Sequence, residues 1–253
     1  RPISRRINWN TRCKTCHGSQ PQKRTTINFL HTHCSLDSLI PDQTNPTLNR
    51  WQTGTMQRCF NDGRTEMKIG LIADTHMPGT LAELWPQASR AFEGVDAILH
   101  AGDLHTLEIV EHLSNIAPTY VSRGNGDLDI VDHRLRDTWF IELGSISIGL
   151  IHHFPSPIRK SPDRLERHLD KHFPDVDPDV LVYGHTHLED VRSINGRLYI
   201  NPGSPTLPRN QSLRRGTIGV MEINEDHIHT SIFQLTEHGV EPHAELEPHQ
   251  HPK

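Results

Sequence analysis

The chain has 253 residues, a formal net charge of -5 and a hydrophobic fraction of 34%, low for a chain folded throughout, so a compact core with long polar ends is expected. The acidic balance, without a dense Lys/Arg block, argues against a dedicated nucleic-acid or membrane-surface binder. No apolar run approaches the roughly 20 residues of a membrane span and no N-terminal apolar stretch marks a secretory signal, so the expectation is a soluble cytoplasmic protein.

Residues 1–66 are polar, scattered with Pro, Asn, Thr and Arg, and keep no helix or strand period. They are read as disordered or as a non-native N-terminal extension, with Met67 as the natural start of a domain spanning 67–235. All four cysteines, Cys13, Cys16, Cys34 and Cys59, precede Met67, so neither disulfides nor thiol chemistry supports that domain. "CKTCH" (Cys13, Cys16, His17) matches the c-type haem attachment pattern, and Cys13, Cys16, His33 and Cys34 form a conceivable zinc set. A chance match in a polar segment is the favoured reading of both.

From Met67 strands and helices alternate. "KIGLIAD" (68–74) reads as a buried strand, "LAELWPQASRAFEG" (81–94) as a helix kinked or restarted at Pro86, and "VDAILHAGD" (95–103) as the next strand. "TLEIVEHLSNIA" (106–117) follows as a helix capped by Thr106, then the strand "PTYVSRGN" (118–125). "TWFIELG" (138–144) and "SISIGLIHH" (145–153) meet at a Gly-Ser turn and read as a hairpin. "SPDRLERHLDKHF" (161–173) is an amphipathic helix capped by Ser161. "DVLVYGH" (179–185), "RLYIN" (197–201), "GTIGVMEI" (216–223) and "HIHTSIFQL" (227–235) are strands, and 236–253 reads as a disordered polar tail. A β-α-β-α-β half followed by a mostly β half predicts an α/β fold. Its mixed sheet should pack on a more antiparallel one, with helices outside.

Five apolar strands each deliver metal-competent side chains at the carboxyl end: Asp74 and His76, Asp103, Asn125, His152, and His185 with His187. Ligands of open α/β sheets sit beyond those ends. These groups comprise two carboxylates, an amide oxygen and four imidazoles, and no sulfur. Such a set suits Mn, Fe, Zn or Ni. Seven groups supply four ligands to each of two ions only if a carboxylate, Asp74 or Asp103, bridges. Two cations roughly 3.5–4 Å apart hold a bridging hydroxide and clamp the oxygens of an in-line displacement at phosphorus. In Asp74-x-His76 and His185-x-His187, positions i and i+2 would share a face of extended chain. Alone, each piece is weak: Asn125 in "RGNGD" reads as a turn residue and Asp103 as a helix cap. The ordered combination is specific.

"DTH", "GD", "GN", "IH", "GHTH" and "NPGSP", in this order over roughly 67–235, resemble the calcineurin-like metallophosphoesterase superfamily, and most closely its small bacterial and archaeal phosphodiesterase branch. The resemblance implies a four-layer α/β/β/α sandwich of two mixed β-sheets flanked by helices. It further implies two divalent metal ions, Mn first, with Ni, Fe or Zn as alternatives. By that pattern Asp74, His76, Asp103 and His187 hold one ion. Asp103, Asn125, His152 and His185 hold the other, so that Asp103 bridges. Asp103, Asn125 and His152 are the residues expected closest to catalysis, and a small phosphoester is the expected substrate. A homo-oligomer is compatible with this; a nucleic-acid or membrane partner is not expected. The alternative is a non-catalytic scaffold on the same fold, like the phosphoesterase-like subunit of the retromer coat. Two departures stand out. Many superfamily members carry a histidine after the metal-binding Asn, where this chain has Gly126. The branch usually has His-Gly-His where this chain has "HHF" (152–154). Ser204 of "NPGSP" is expected to support the site, not to act in it.

Overall fold

The computed structural model describes residues 66–143 and 145–253. The N-terminal extension and its cysteine motifs lie outside them. β1 (Met67–Ile72), β2 (Ala97–His100) and β3 (Thr119–Ser122) are joined through the helices α1 (Pro86–Ala91) and α2 (Glu108–Ser114). β1 pairs parallel with β2, and β2 with β3, as two βαβ crossovers. β4 (Leu135–Arg136) adds parallel to β3. β10 (Thr217–Ile223) returns antiparallel beside β1, and β11 (His227–Leu235) beside β10. The second sheet has the order β5-β6-β7-β9-β8. It contains β5 (Thr138–Leu143), β6 (Ile146–Ile151), β7 (Val180–Val182), β8 (Asp190–Ile194) and β9 (Arg197–Asn201), with α3 (Pro162–His172) crossing from β6 to β7.

Three apolar layers hold this stack together. Between the sheets, Ile69, Leu71 and Leu99 of the first face Ile148, Val182 and Ile200 of the second. Outside the first sheet, Ile72, Ile98 and Val121 pack on Phe92, Ile109 and Leu113 of the helical side. Outside the second, Leu181 and Tyr199 pack on Leu165 and Leu169 of α3. The strands between layers are buried on both faces, which explains why they read as continuous apolar runs rather than alternating ones. The result is the expected α/β/β/α sandwich. Among the described residues no helix is long and apolar enough to cross a membrane.

Several expectations are corrected. The second sheet is not the more antiparallel one: β6–β7 and β7–β9 pair parallel, because α3 makes a crossover there too. α1 begins only at Pro86, since Trp85 before the proline is extended (ψ 125°). α3 receives no side-chain bond at its N-cap, Ser161, whereas at α2 the N-cap is Leu107 and Oγ1 of Thr106 before it accepts from the Glu108 amide at 3.4 Å. β8 escaped notice, although Asn195 (φ 52°) and Gly196 (φ 82°) form the left-handed pair of a tight hairpin turn into β9. The supposed disordered tail 236–253 is ordered in part. β12 (Val240–Pro242) and β13 (His249–Pro252) pair antiparallel with Phe233–Leu235 and His227–Thr230 of β11. Polar, Pro-bearing sequence suits this position, because an edge strand needs pairing on one side only and tolerates proline there.

Candidate metal centre

The carboxyl ends of β1, β2, β3, β6 and β7 lie along one rim, and the chain turns through left-handed backbone after β1, β2 and β7. Asp74 (φ 54°), His76 (φ 49°), Asp103 (φ 57°), His105 (φ 72°), His185 (φ 70°) and His187 (φ 54°) all have left-handed backbone. Asp and His tolerate this region better than most residues, yet each such position costs on the order of 1–3 kcal/mol. The i, i+2 spacing therefore works differently from expectation. The paired side chains converge from two left-handed corners, not from one face of a strand.

Buried polar groups hold the corners. Past the end of β1 and β2 the two loops stay laced: the amides of Asp74, His76 and Met77 donate to the carbonyls of Gly102, Asp103 and Leu104 at 2.9, 3.0 and 2.9 Å. Asp127, fully buried, accepts from the amides of Leu104 and His105 (2.8 and 2.9 Å) and of Gly124 (2.9 Å). One carboxylate thus ties the loop of Asp103 to the loop of Asn125. Asn201 donates to the carbonyl of Gly184 at 3.1 Å, and Ser204 to that of Asp74 at 2.7 Å. The "NPGSP" loop therefore braces two corners from below, as expected for Ser204. Gly124 is required where it stands, because a Cβ there would overlap Asp103.

All seven anticipated side chains meet. Nε2 of His76 lies 3.1 Å from Nε2 of His187, and Oδ1 of Asp74 lies 3.6 Å from that atom. Oδ1 of Asn125 is 3.2 Å from Nε2 of His152 and 3.1 Å from Nδ1 of His185. Between the two groups stands Asp103, with Oδ1 3.5 Å from Nε2 of His152 and Oδ2 3.6 Å from Nε2 of His76. Asp74 approaches His152 only at Nδ1, 4.0 Å away, and that nitrogen already serves the Ala101 carbonyl at 2.7 Å. Asp103 thus faces both groups, and Asp74 also belongs to two close sets, one with His76 and His187 and one with Asp103 and His152. The floor is buried at Asp74, Asp103, His152 and His187, whereas Asn125 and His185 are exposed. His153 stands beside His185, rings edge to face at 4.5 Å, and forms a wall where a glycine is usual.

The donor set fits divalent cations. Nδ1 of His187 donates to the Leu207 carbonyl at 2.7 Å, which leaves Nε2 as a bare lone pair toward His76. Donors about 2.1 Å from one ion lie about 3.0–3.4 Å from each other at tetrahedral or octahedral angles; the imidazole and amide separations of 3.1–3.2 Å fall in that range, and the carboxylate–imidazole separations of 3.5–3.6 Å lie just beyond it. Burial, with the neighbouring Asp103 adding to it, raises the Asp74 carboxyl well above the usual carboxylate range, against the His185 amide that lowers it. Burial lowers His76 to about 4, and lowers His152, His185 and His187 as well. The imidazoles are therefore neutral at pH 7, as ligation requires. The crowding of two carboxylates is a cost that nearby divalent charge would relieve.

Three supporting residues escaped the sequence reading. Asp127 and Asn201 are described above. The third is His100, fully buried, whose Nδ1 accepts from the Gly102 amide at 3.1 Å while Nε2 lies 3.2 Å from Oγ1 of Thr75. Burial lowers it to about 3, so it stays neutral. The one available signal was a polar residue at the end of an apolar strand, as in "AILH".

Comparison with known proteins agrees with the geometry. The model of the calcineurin-like phosphoesterase superfamily domain matches residues 67–226. A probable metallophosphoesterase from Methanothermobacter thermautotrophicus is 35% identical over 168 residues, 66% of this chain and 92% of its own. The phosphodiesterase MJ0936 from Methanocaldococcus jannaschii is 23% identical over 154 residues, 54% of this chain and 83% of its own. Among solved structures, Vacuolar Protein Sorting 29 from Cryptosporidium parvum superposes with a TM-score of 0.63 at 22% identity, covering 75% of this chain and 100% of that one. At that identity the likeness shows the fold alone. With the family model covering the whole α/β/β/α sandwich up to β10, the chain belongs to the calcineurin-like phosphoesterase superfamily.

Proposed function

We propose that the chain is a dinuclear-metal phosphodiesterase acting on small phosphoesters, with Asp103 as the bridging carboxylate. The observation that carries this reading is the orientation of Asp103, whose two oxygens address two separate ligand groups. Asp74, His76 and His187 would complete one position, and Asn125, His152 and His185 the other. Mn is the first candidate, followed by Zn, Fe and Ni, all compatible with imidazole and carboxylate donors. When bound, two such ions supply Lewis acidity at the phosphoryl oxygens and a water of lowered pKa.

The chain's own residues do the rest. The carbonyls of Ala101 and Leu207 hold the Nδ1 protons of His152 and His187, so both rings present Nε2 to the centre. The Gly126 amide donates to Oδ1 of Asp103 at 2.8 Å and fixes the bridge. The exposed side, at Asn125 and His185, is where a phosphoester enters. A diesterase preference is supported by the branch that the motifs resemble and by the name of the jannaschii relative. The scaffold alternative draws on the fold of Vacuolar Protein Sorting 29, but it leaves seven converging polar groups and six left-handed corners without a purpose. The test is elemental analysis of protein dialysed against Mn, combined with turnover of bis(p-nitrophenyl) phosphate and p-nitrophenyl phosphate. Two ions per chain and faster diester hydrolysis are expected. Metal-independent behaviour with no turnover of either ester would favour the scaffold.

A further inference from the structure

His76, half-buried, differs from the buried imidazoles of the centre in what holds its outer nitrogen. His152 and His187 each donate from Nδ1 to a main-chain carbonyl at 2.7 Å. Nδ1 of His76 instead meets a side chain, Nε2 of His105, at 2.9 Å, with the rings edge to face at 4.6 Å. Nε2 of His76 faces the centre, 3.1 Å from His187 and 3.6 Å from Asp103. A His76 ready to ligate through Nε2 must carry its proton on Nδ1, so Nε2 of His105 must accept it.

Three independent features place the His105 ring there. Its backbone is left-handed (φ 72°), a conformation that persists only when surroundings impose it. Its amide is tied to buried Asp127 at 2.9 Å. Its ring also occupies the space over Gly126, where an added Cβ would collide with Nε2 and Cδ2 of His105. Glycine at 126 and histidine at 105 are therefore one arrangement contributed by two loops.

We infer that His105 is a positioning residue of the metal centre: it accepts the Nδ1 proton of His76, fixes that ring's tautomer and orientation, and depends on Gly126 for clearance. The inference rests on the dinuclear reading above. The test uses the full chain and three variants, His105→Phe, His105→Gln and Gly126→Ala. Phe and Gln carry the same backbone strain at a positive φ, but only Gln offers an acceptor, so their difference isolates the hydrogen bond. In calorimetric titration with Zn2+, His105→Phe should weaken one of two ions by about 10–100-fold, the usual cost of losing an outer-shell partner, and leave the other near the parent. His105→Gln should recover most of that loss. Gly126→Ala should weaken the same ion and add nothing in the His105→Phe background. The readout independent of activity is the 1H–15N imidazole spectrum of the Zn2+-loaded chain: the Nδ1 proton of His76 is hydrogen-bonded and slow to exchange in the parent and in His105→Gln, and exchange-broadened in His105→Phe. Equal affinities and an unchanged His76 Nδ1 proton signal in His105→Phe would overturn the proposal, as would equal losses in Phe and Gln. A parent that binds a single ion would overturn the dinuclear reading instead, and the His76 Nδ1 proton signal would still decide the role of His105.

Discussion

At the rim where β1, β2, β3, β6 and β7 end, the side chains after β1, β2 and β7 stand on left-handed backbone and are fixed by buried donors and acceptors. At the outer edge of the larger sheet, β12 and β13 cover β11 through main-chain pairing, and the half-buried His249 and the buried His251 make the further contacts. At the rim, strain on the order of 1–3 kcal/mol per corner is tolerated because each corner is determined from several sides. At the edge almost nothing is strained, and little is specified beyond the pairing itself. The contrast teaches where substitutions should matter: chemistry is concentrated at the rim, while the edge contributes stability that the chemistry does not need.

The largest effect should come from Asp103→Asn. It keeps the volume and one oxygen but loses the charge that would offset the proposed pair of cations, so turnover should fall by more than about 10²-fold, beyond the loss of an outer-shell partner. Metal analysis should show both positions depleted together. Two retained ions with near-parent turnover would remove Asp103 from the centre of the comparison. Next comes Asp127→Ala, which leaves the amides of Leu104, His105 and Gly124 without their buried acceptor. A loss of about 3–5 kcal/mol is expected, read as a lower urea midpoint. Stability near the parent's would mean that water replaces the carboxylate and that the rim is less tightly determined than its geometry suggests.

Cutting the chain after Leu235 tests the other side of the contrast. It removes β12 and β13 and the bond from Gln87 to the Glu237 carbonyl. About 2–4 kcal/mol should be lost, a drop in Tm of about 5–15 °C, with metal content and turnover preserved. Loss of turnover in a folded truncated chain would show that edge and rim are coupled, and the Glu189–His243 contact at 3.4 Å, beside His187, would be the first suspect.

The smallest effect concerns pH. Oγ of Ser193 lies 2.8 Å from Nε2 of His249 and 2.7 Å from Nδ1 of His251, linking β13 to β8. Burial lowers both histidines, and in His249 the neighbouring His251 lowers it further. Docked, they bind protons less readily than when released, whose pKa is about 6.5. The contribution to docking is therefore full above about pH 6.5 and falls as the pH drops toward the lowered folded values. Amide exchange, corrected for intrinsic rates, should show 249–252 losing protection between pH 7.5 and 5.5 while β10 keeps it. Equal protection at both pH values would mean that main-chain pairing alone holds the strand.

The layered fold and the seven converging side chains were legible before any coordinates. Each central strand is an apolar run cut short by Asp, Asn or His, and burial on both faces makes such runs unmistakable. The elements that were misjudged, β8, β12 and β13, are short, polar and at edges. Their pairing is decided by a neighbour's open side and not by their own composition. Within the site, residue identity named the candidate ligands, but not the backbone that presents them. The left-handed corners at Asp74 and His187, the clamp of Asp127 and the meeting of His105 with His76 depend on loops that approach across dozens of residues. Side-chain chemistry is carried by each residue alone and can be read from a string of letters. Which nitrogen of an imidazole faces the centre depends on what the other nitrogen meets, and only the packed chain brings that partner into place.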